Sequence, residues 1–367
     1  MMSWSYKIAF FLALLLTPAF VMAEEEPIED IHVDDEEFDV TEMVFDHIMD
    51  SHSWHILDYT DNSGHKHPVS IPLPVILYHN GDLDVFMSSA FDHGHATVKK
   101  GDKYYFLHEG DIYLTDADGN LHHKTNEETG KTVITNEKPL DLSITKNAAA
   151  MIISALFLML IFIPVARAYK KRPGKPAGLQ SFMEPLFLFI RDDIAKPNIG
   201  EKYEKYLPYI MTVFFFILIN NLLGLVPFFP GGANVTGNIA VTGTLAAFTL
   251  VITNVSGSKQ YWKHIFATPG LPFWLYPIMI PVELIGIITK PFALMVRLFA
   301  NITAGHIIVL SLVSLIFIFK TALMGFVSVP FVLFMDILEI LVAVIQAYIF
   351  ALLSALFIGL ALENDHD

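Results

Sequence analysis

The stretch Lys290-Pro-Phe-Ala-Leu-Met-Val-Arg297-Leu-Phe-Ala-Asn301-Ile-Thr-Ala-Gly-His306 sets an arginine, an asparagine and a histidine inside otherwise apolar sequence. A guanidinium at the centre of a membrane helix costs about 2.5–3.5 kcal/mol on insertion scales, so one kept there faces a polar path or a partner instead of lipid. Snorkelling to a headgroup fails on distance, because apolar flanks of roughly Ile280–Thr289 and Ile307–Phe319 separate Arg297 from either end. Glu283, Lys290 and Arg297 stand seven residues apart and share one helical face, drifting only about 20° per step, with Asn301 close to it. His306, nine residues beyond Arg297, falls on the opposite face. In the last apolar segment Glu339 and Gln346 are again seven apart, and Asp336 neighbours Glu339. Acids, amides and an imidazole in such surroundings suit a polar path for protons.

Depth along the helices sharpens this expectation. If the two segments run antiparallel with Arg297 level with Gln346, His306 lies about 13 Å to one side of Arg297 and Glu339 about 10 Å from Gln346 in the same direction. Glu283 falls about 20 Å to the other side. Two groups of titratable residues thus flank one arginine, as a pair of proton half-channels requires. His306 and Glu339, nearly level, are expected to relay protons as one pair; a static interhelical hydrogen bond is the alternative.

The elements that must hold these residues follow from composition. With 367 residues and 53% hydrophobic content, the chain is too apolar for an ordinary soluble domain and long enough for several spans. Apolar spans are expected at Ala148–Ala166, Tyr206–Pro227, about Val235–Val255, about Ile280–Phe319 and about Pro330–Leu362, five in all. The last two exceed what an upright crossing needs, since some 40 helical residues would run about 60 Å against a hydrocarbon core of about 30 Å. Pro281 falls where a first helical turn tolerates it, and Pro291 is the one convincing place for a bend. Positive residues after the first span (Arg167 to Lys175) and after the third (Lys259, Lys263) place those ends in the cytoplasm. Leu179, Phe182, Met183, Leu186, Ile190 and Ile194 recur at helical spacing among charged residues, which predicts an amphipathic helix on that surface, ended by Pro197-Asn-Ile-Gly200. Asn220, Asn221 and Asn238 are expected to hydrogen-bond between helices.

The first third of the chain differs. Residues 1–23 have a lysine near the start, an apolar core Ile8–Leu16 and the small-residue exit Val21-Met-Ala23, as a cleavable signal peptide does; the core is short for the alternative, an uncleaved first helix. Residues 24–50 are crowded with carboxylates and lack Lys and Arg, which predicts a disordered acidic linker and accounts for much of the net charge of −15. Residues 51–141 show short alternating runs, Val75–His79 and Leu83–Phe86 about Asn80-Gly81, then Tyr104–Leu107 and Ile112–Leu114, which predict an extracytoplasmic β-rich module. Its paired histidines, His65/His67 and His93/His95, project from one strand face each if they lie on strands, and are read as surface histidines, not metal ligands. The absence of cysteine excludes disulfides and thiolate chemistry. No Gly-x-x-x-x-Gly-Lys-Ser/Thr loop is present to hold nucleotide phosphates.

Arg297-Leu-Phe-Ala-Asn301-Ile-Thr-Ala-Gly305 resembles the Arg-Leu-Phe-Gly/Ala-Asn-x-x-Ala-Gly pattern of subunit a of the F-type ATP synthase, and Ile345-Gln-Ala-Tyr-Ile-Phe350 is similar to that family's last helix. Asn220 to Pro227 resembles its Asn-Leu-x-x-Leu-x-Pro exit, with Gly224 where many members carry an acid. The resemblance covers roughly Asp141 to the C-terminus, residues 142–367 forming the membrane domain. It implies an all-α multi-span fold whose last two helices tilt steeply against a rotating ring, and a bacterial plasma membrane location. It implies as partners the c-ring and b subunits and the lipid bilayer, with no nucleic acid, no cofactor and no catalytic residue of its own. By the same resemblance Arg297 is the essential arginine, Asn301 and Gln346 its polar neighbours, His306 and Glu339 the outer half-channel and Glu283 the inner one. Many bacterial members place the histidine and glutamate the other way round. A secondary transporter, whose inverted repeat is not found here, and a membrane-anchored sensor with an outer ligand- or metal-binding module are the alternatives. None of the membrane constellation lies in the β-rich module, which is therefore expected to be dispensable for proton chemistry.

Overall fold

The computed structural model describes residue 44 and residues 48–60, 66–125, 132–171, 176–226, 229–267 and 272–363, all within one compact unit, Asp39–Asp367. The expected signal segment, almost all of the acidic linker and His65 lie outside the described residues.

The module is built from hairpins. β1 (Ser53–Thr60) pairs with β2 (Lys66–Pro72), and β3 (Pro74–His79) with β4 (Asp82–Met87). β5 (Val98–Lys100), β6 (Lys103–His108) and β7 (Asp111–Thr115) form a three-stranded meander, and β8 (His123–Thr125) pairs with β9 (Thr132–Ile134). The β3–β4 turn is the expected Asn80-Gly81, both at positive φ (51° and 96°), as a tight hairpin requires. Alternation then buries Val75 and Leu77 on one face of β3, where they meet Phe86, Phe91, Tyr105 and Ile112. His93 and His95 do not lie on a strand. They fall on and just after the 3-10 turn Ser88–Gly94, so the shared strand face expected for them does not arise.

β10 (Leu140–Asp141) returns to pair with β3, and the chain continues along it, Leu142 and Ile144 donating to Ile76 and Pro74 carbonyls, before α1 (Lys146–Lys171) begins. Two groups receive the free N–H groups of that helix start: the Asp50 carboxylate accepts from Asn147 N at 3.0 Å and Thr145 Oγ1 from Ala148 N at 3.4 Å. His52 and Asp141 close the junction with a 2.7 Å hydrogen bond.

α2 (Leu179–Phe189) passes through a π-helical segment, Ile190–Ala195, into Lys196–Ile199 and stops at Gly200, whose φ is 74°. Only part of its apolar stripe faces outward: Phe182 is exposed, while Met183, Ile190 and Ile194 are buried in the main core. α3 (Tyr203–Gly224) follows. α4 (Ile239–Ser256) begins four residues later than expected, because Asn238 caps it, accepting from Ala240 N at 2.9 Å. A bend of 101° leads into α5 (Lys259–Phe266). Of the three asparagines expected to bond between helices, Asn221 does so, donating to Ala343 O, whereas Asn220 donates to Phe216 O on its own helix and Asn238 is the cap.

α6 (Tyr276–Phe319, 44 residues) and α7 (Ala322–Leu362, 41 residues) are long continuous helices joined at Lys320–Thr321. α6 starts earlier than expected, so Pro281 lies inside it and not in its first turn, and the helix runs unbroken through Pro291. Along α7 the small residues Ala343, Ala347, Ala351, Ala355 and Gly359 recur every fourth position; all four alanines are fully buried. Such spacing lets helix backbones approach closely. Gly359 sits directly against the Asn198 carbonyl. Among the described residues, four helical segments are long and apolar enough to cross a membrane, or five if α4 and α5 are one bent span.

Candidate functional site

Arg297 lies midway along α6, and its side chain is exposed on the surface of the chain. It enters no hydrogen bond, ion pair or ring contact with the described residues, and neither does Asn301, one turn on and also exposed. The same face of α6 carries small exposed residues, Ala293, Ala300 and Ala304. A guanidinium without a partner within a long membrane-spanning helix is a strong site for an anionic partner, because little water competes there. Gln346, across on α7, is 5% exposed and makes no side-chain hydrogen bond to either residue.

Toward the β-module, α6 and α7 come together at Gly305 and Glu339. A Cβ built on Gly305 would collide with the Glu339 carboxyl, whose Cδ would lie 3.0 Å away. The absent side chain makes room for the carboxylate between the helices. Glu339 is 9% exposed, its Oε1 has no hydrogen-bond partner among the described residues, and Asp336, one turn earlier, is its charged neighbour. His306 adjoins Gly305 in the chain, so the structure brings His306 and Glu339 to the same level, yet no direct hydrogen bond or ion pair joins them. The imidazole instead approaches α3, with Nε2 3.7 Å from where a Cβ on Gly224 would stand. Beside it Thr236 Oγ1 donates to Asn221 Oδ1 at 2.6 Å, and Asn221 donates on to α7, tying loop, α3 and α7 together.

On the other side of Arg297, Glu283 is half-buried and lies within electrostatic range of Tyr261 on α5, whose hydroxyl donates to Asn254 Oδ1 at 3.1 Å. Lys290 turns back over the Phe357 ring, 5.8 Å from its centroid. A cavity of about 30 Å³, room for a water or two, is lined there by Thr253, Asn254, Tyr261 and Lys290 among apolar groups, and Thr253 Oγ1 is buried without a partner among the described residues. Glu283 and Lys290 therefore belong to one cluster on this side, well apart from His306 and Glu339.

Thr253, Asn254 and Tyr261 escape sequence reasoning because α4 carries no charge and the lysines of α5 read only as a positive flank; the 101° bend brings them to α6. Lys146 escapes it because it sits at the junction with the module, although it is buried and close enough to His306 to act on it electrostatically. Gly224 escapes it as a residue without functional atoms. Among the described residues no three His, Cys, Asp or Glu side chains cluster as metal ligands would.

A family model described as ATP synthase A chain matches residues 148–359, and a second, described as a domain of unknown function (DUF8433), matches residues 43–142. The ATP synthase subunit a of Chlorobium phaeobacteroides (strain BS1) is 54% identical over 233 residues, which cover 61% of this chain and 68% of that one. The ATP synthase subunit a 2 of Prosthecochloris aestuarii is 52% identical over 233 residues, 61% of this chain and 70% of its own length. Similarity to the ATP synthase subunit a of Pelodictyon phaeoclathratiforme extends over 282 residues at 45% identity, 74% of this chain and 79% of that one.

Proposed function

The chain belongs to the ATP synthase A chain family, and from that premise we propose that it is the proton-channel subunit of a proton-translocating F-type ATP synthase, working through two half-channels on either side of Arg297. One observation carries this: Arg297, without a partner among the described residues, is exposed midway along the apolar helix α6 on a face of small residues. A rotating ring of subunits, each bringing one carboxylate, is the partner that such a face fits. Facing Arg297, a ring carboxylate is held ionised by the opposite charge. A fixed guanidinium also opposes a direct proton leak from one side to the other. Asn301 and Gln346 flank the passing carboxylate.

His306 and Glu339 deliver protons on the module side, the outer half-channel, and Glu283 with the cavity beside Tyr261 releases them on the inner side. The basic residues at the end of α1 and at the start of α5 support this orientation, with the module outside and the C-terminus in the cytoplasm of a bacterial plasma membrane. The chain itself has no part in ATP chemistry; the c-ring and b subunits are its partners in the membrane.

The test is purification through an affinity tag on this chain, followed by reconstitution into vesicles. Co-purification of a ring of small hairpin subunits and an ATPase head, with ATP-driven acidification of the vesicles, is expected. A chain that purifies without ring or head from membranes where both are present would reject the assignment.

A further inference from the structure

Buried polar groups recur from the start of α1 to Glu339. Lys146 and Asn147 are buried (7% and 3% exposed) although they stand where the chain leaves the module. Asn234, in the loop between α3 and α4, is equally buried, and neither of its amide atoms has a partner among the described residues. Asn147 Oδ1 and Glu339 Oε1 are unpaired in the same way. Each such atom is destabilising if left dry, and an ordered water is the usual remedy. Elsewhere in the helices Tyr209, Thr249 and Ser354 satisfy one another: Tyr209 bonds Thr249, and Thr249 bonds Ser354.

The loop that carries Asn234 leads inward to the outer titratable pair. The Ala233 carbonyl and His306 Nε2 flank the same spot beside Gly224, and Thr303 Oγ1 reaches Gly237 O at 3.5 Å. Lys146 acts electrostatically on His306 from the start of α1. The module forms the rim. Trp54 packs with Ala150, Ala233 and Val235 and meets Phe229 edge-on at 5.1 Å, while Ser51 O accepts from Lys146 N at 2.8 Å.

On the strength of the function proposed above, we propose that the outer half-channel opens beneath the β-module, through a water-filled seam lined by Lys146, Asn147 and Asn234 that leads to His306 and Glu339. The module is then part of the channel mouth, with Trp54 and Ser51 holding its lining in place.

Because the chain has no cysteine, single cysteines report on access against the background of the complex with the unaltered chain. Asn147→Cys and Asn234→Cys, with Ser154→Cys on the fully buried side of α1 as control, are placed in the intact reconstituted complex and exposed to silver ion from the module side. Thiol modification of the first two, a fall of at least fivefold in ATP-driven proton flux, and no modification at Ser154→Cys are expected. Unreactive thiols at both seam positions in an assembled complex overturn the seam, and so does full reaction with unchanged flux. If a cysteine variant does not assemble, Asn234→Ala and Asn234→Ser decide: at least a threefold loss of flux in the first with recovery in the second is expected, and equal flux in both overturns it. A cysteine-free complex that pumps no protons before any treatment removes the function on which the seam rests, a failure distinct from the others.

Discussion

At Gly305 the backbone of α6 lies against the Glu339 carboxyl, so a single methyl group there tests whether the carboxylate's position matters. Gly305→Ala is expected to push Glu339 aside and reduce ATP-driven proton flux at least tenfold in an assembled complex, and adding Glu339→Asp, one methylene shorter, is expected to recover part of it. Vesicle acidification measures both. The second test concerns His306 and Glu339, which stand level but share no direct bond, so a coupling between them would have to run through water or through charge. His306→Glu and Glu339→His alone are expected to impair flux, with the exchange of both restoring part of it; strictly additive losses in a double-mutant cycle would mean that the two residues act apart. Arg297, Asn301, His306, Glu339 and Gln346 were legible in the sequence because charge and amide groups are costly in apolar surroundings and therefore stand out. Gly224, Asn234 and Lys146 were not, since a glycine has no chemistry of its own and the other two acquire their surroundings only from contacts distant in the chain.

The elements hold the site through close backbone packing on one side and a capped junction on the other. Gly359 of α7 faces the Asn198 carbonyl with no room for a side chain. Gly359→Leu is expected to part α7 from the Ile190–Ile199 stretch at a cost of about 1–3 kcal/mol, the range for overpacking, seen as a lower unfolding temperature of the detergent-solubilised protein. At the junction, burial works to raise the Asp141 pKa, but hydrogen bonds from His52 and from Ser143 outweigh it and the net direction is downward. A folded pKa below the unfolded one gives stabilisation that is complete above the ordinary carboxylate value of about 3.9 and is lost as pH falls through the lower folded value. Asp141→Asn should therefore speed amide exchange at Lys146 and Asn147, corrected for intrinsic rates, at pH 7, with the difference from wild type vanishing as pH falls below the lowered carboxyl pKa. The hairpins were legible through Asn80-Gly81, and the long helices through their apolar length. The start of α4 was not, because Asn238 reads as one more polar residue until its capping role is seen, and the stripe of α2 gave the helix but not which part of it meets protein instead of lipid.

For the molecule as a whole, the sequence set the β-rich module apart from the membrane helices, and in the fold the two meet where Asp50, Ser51, His52 and Trp54 engage the start of α1 and the α3–α4 loop. No spacing rule reveals that meeting, because it joins residues about 180 apart in the chain, Trp54 to Val235. The central claim is that Arg297 acts on a ring carboxylate by both charge and shape. Lysine keeps the charge, but it is a strongly hydrated point charge that loses its proton when desolvated, whereas guanidinium stays charged and presents a planar set of donors. The decisive measurement is ATP-driven proton pumping by reconstituted complexes carrying Arg297→Lys and Arg297→Ala, each checked for full assembly. Both are expected to pump at less than about a tenth of the wild-type rate, 1.4 kcal/mol or more of lost barrier lowering; near-normal coupled pumping by the lysine variant would contradict the role assigned to this arginine.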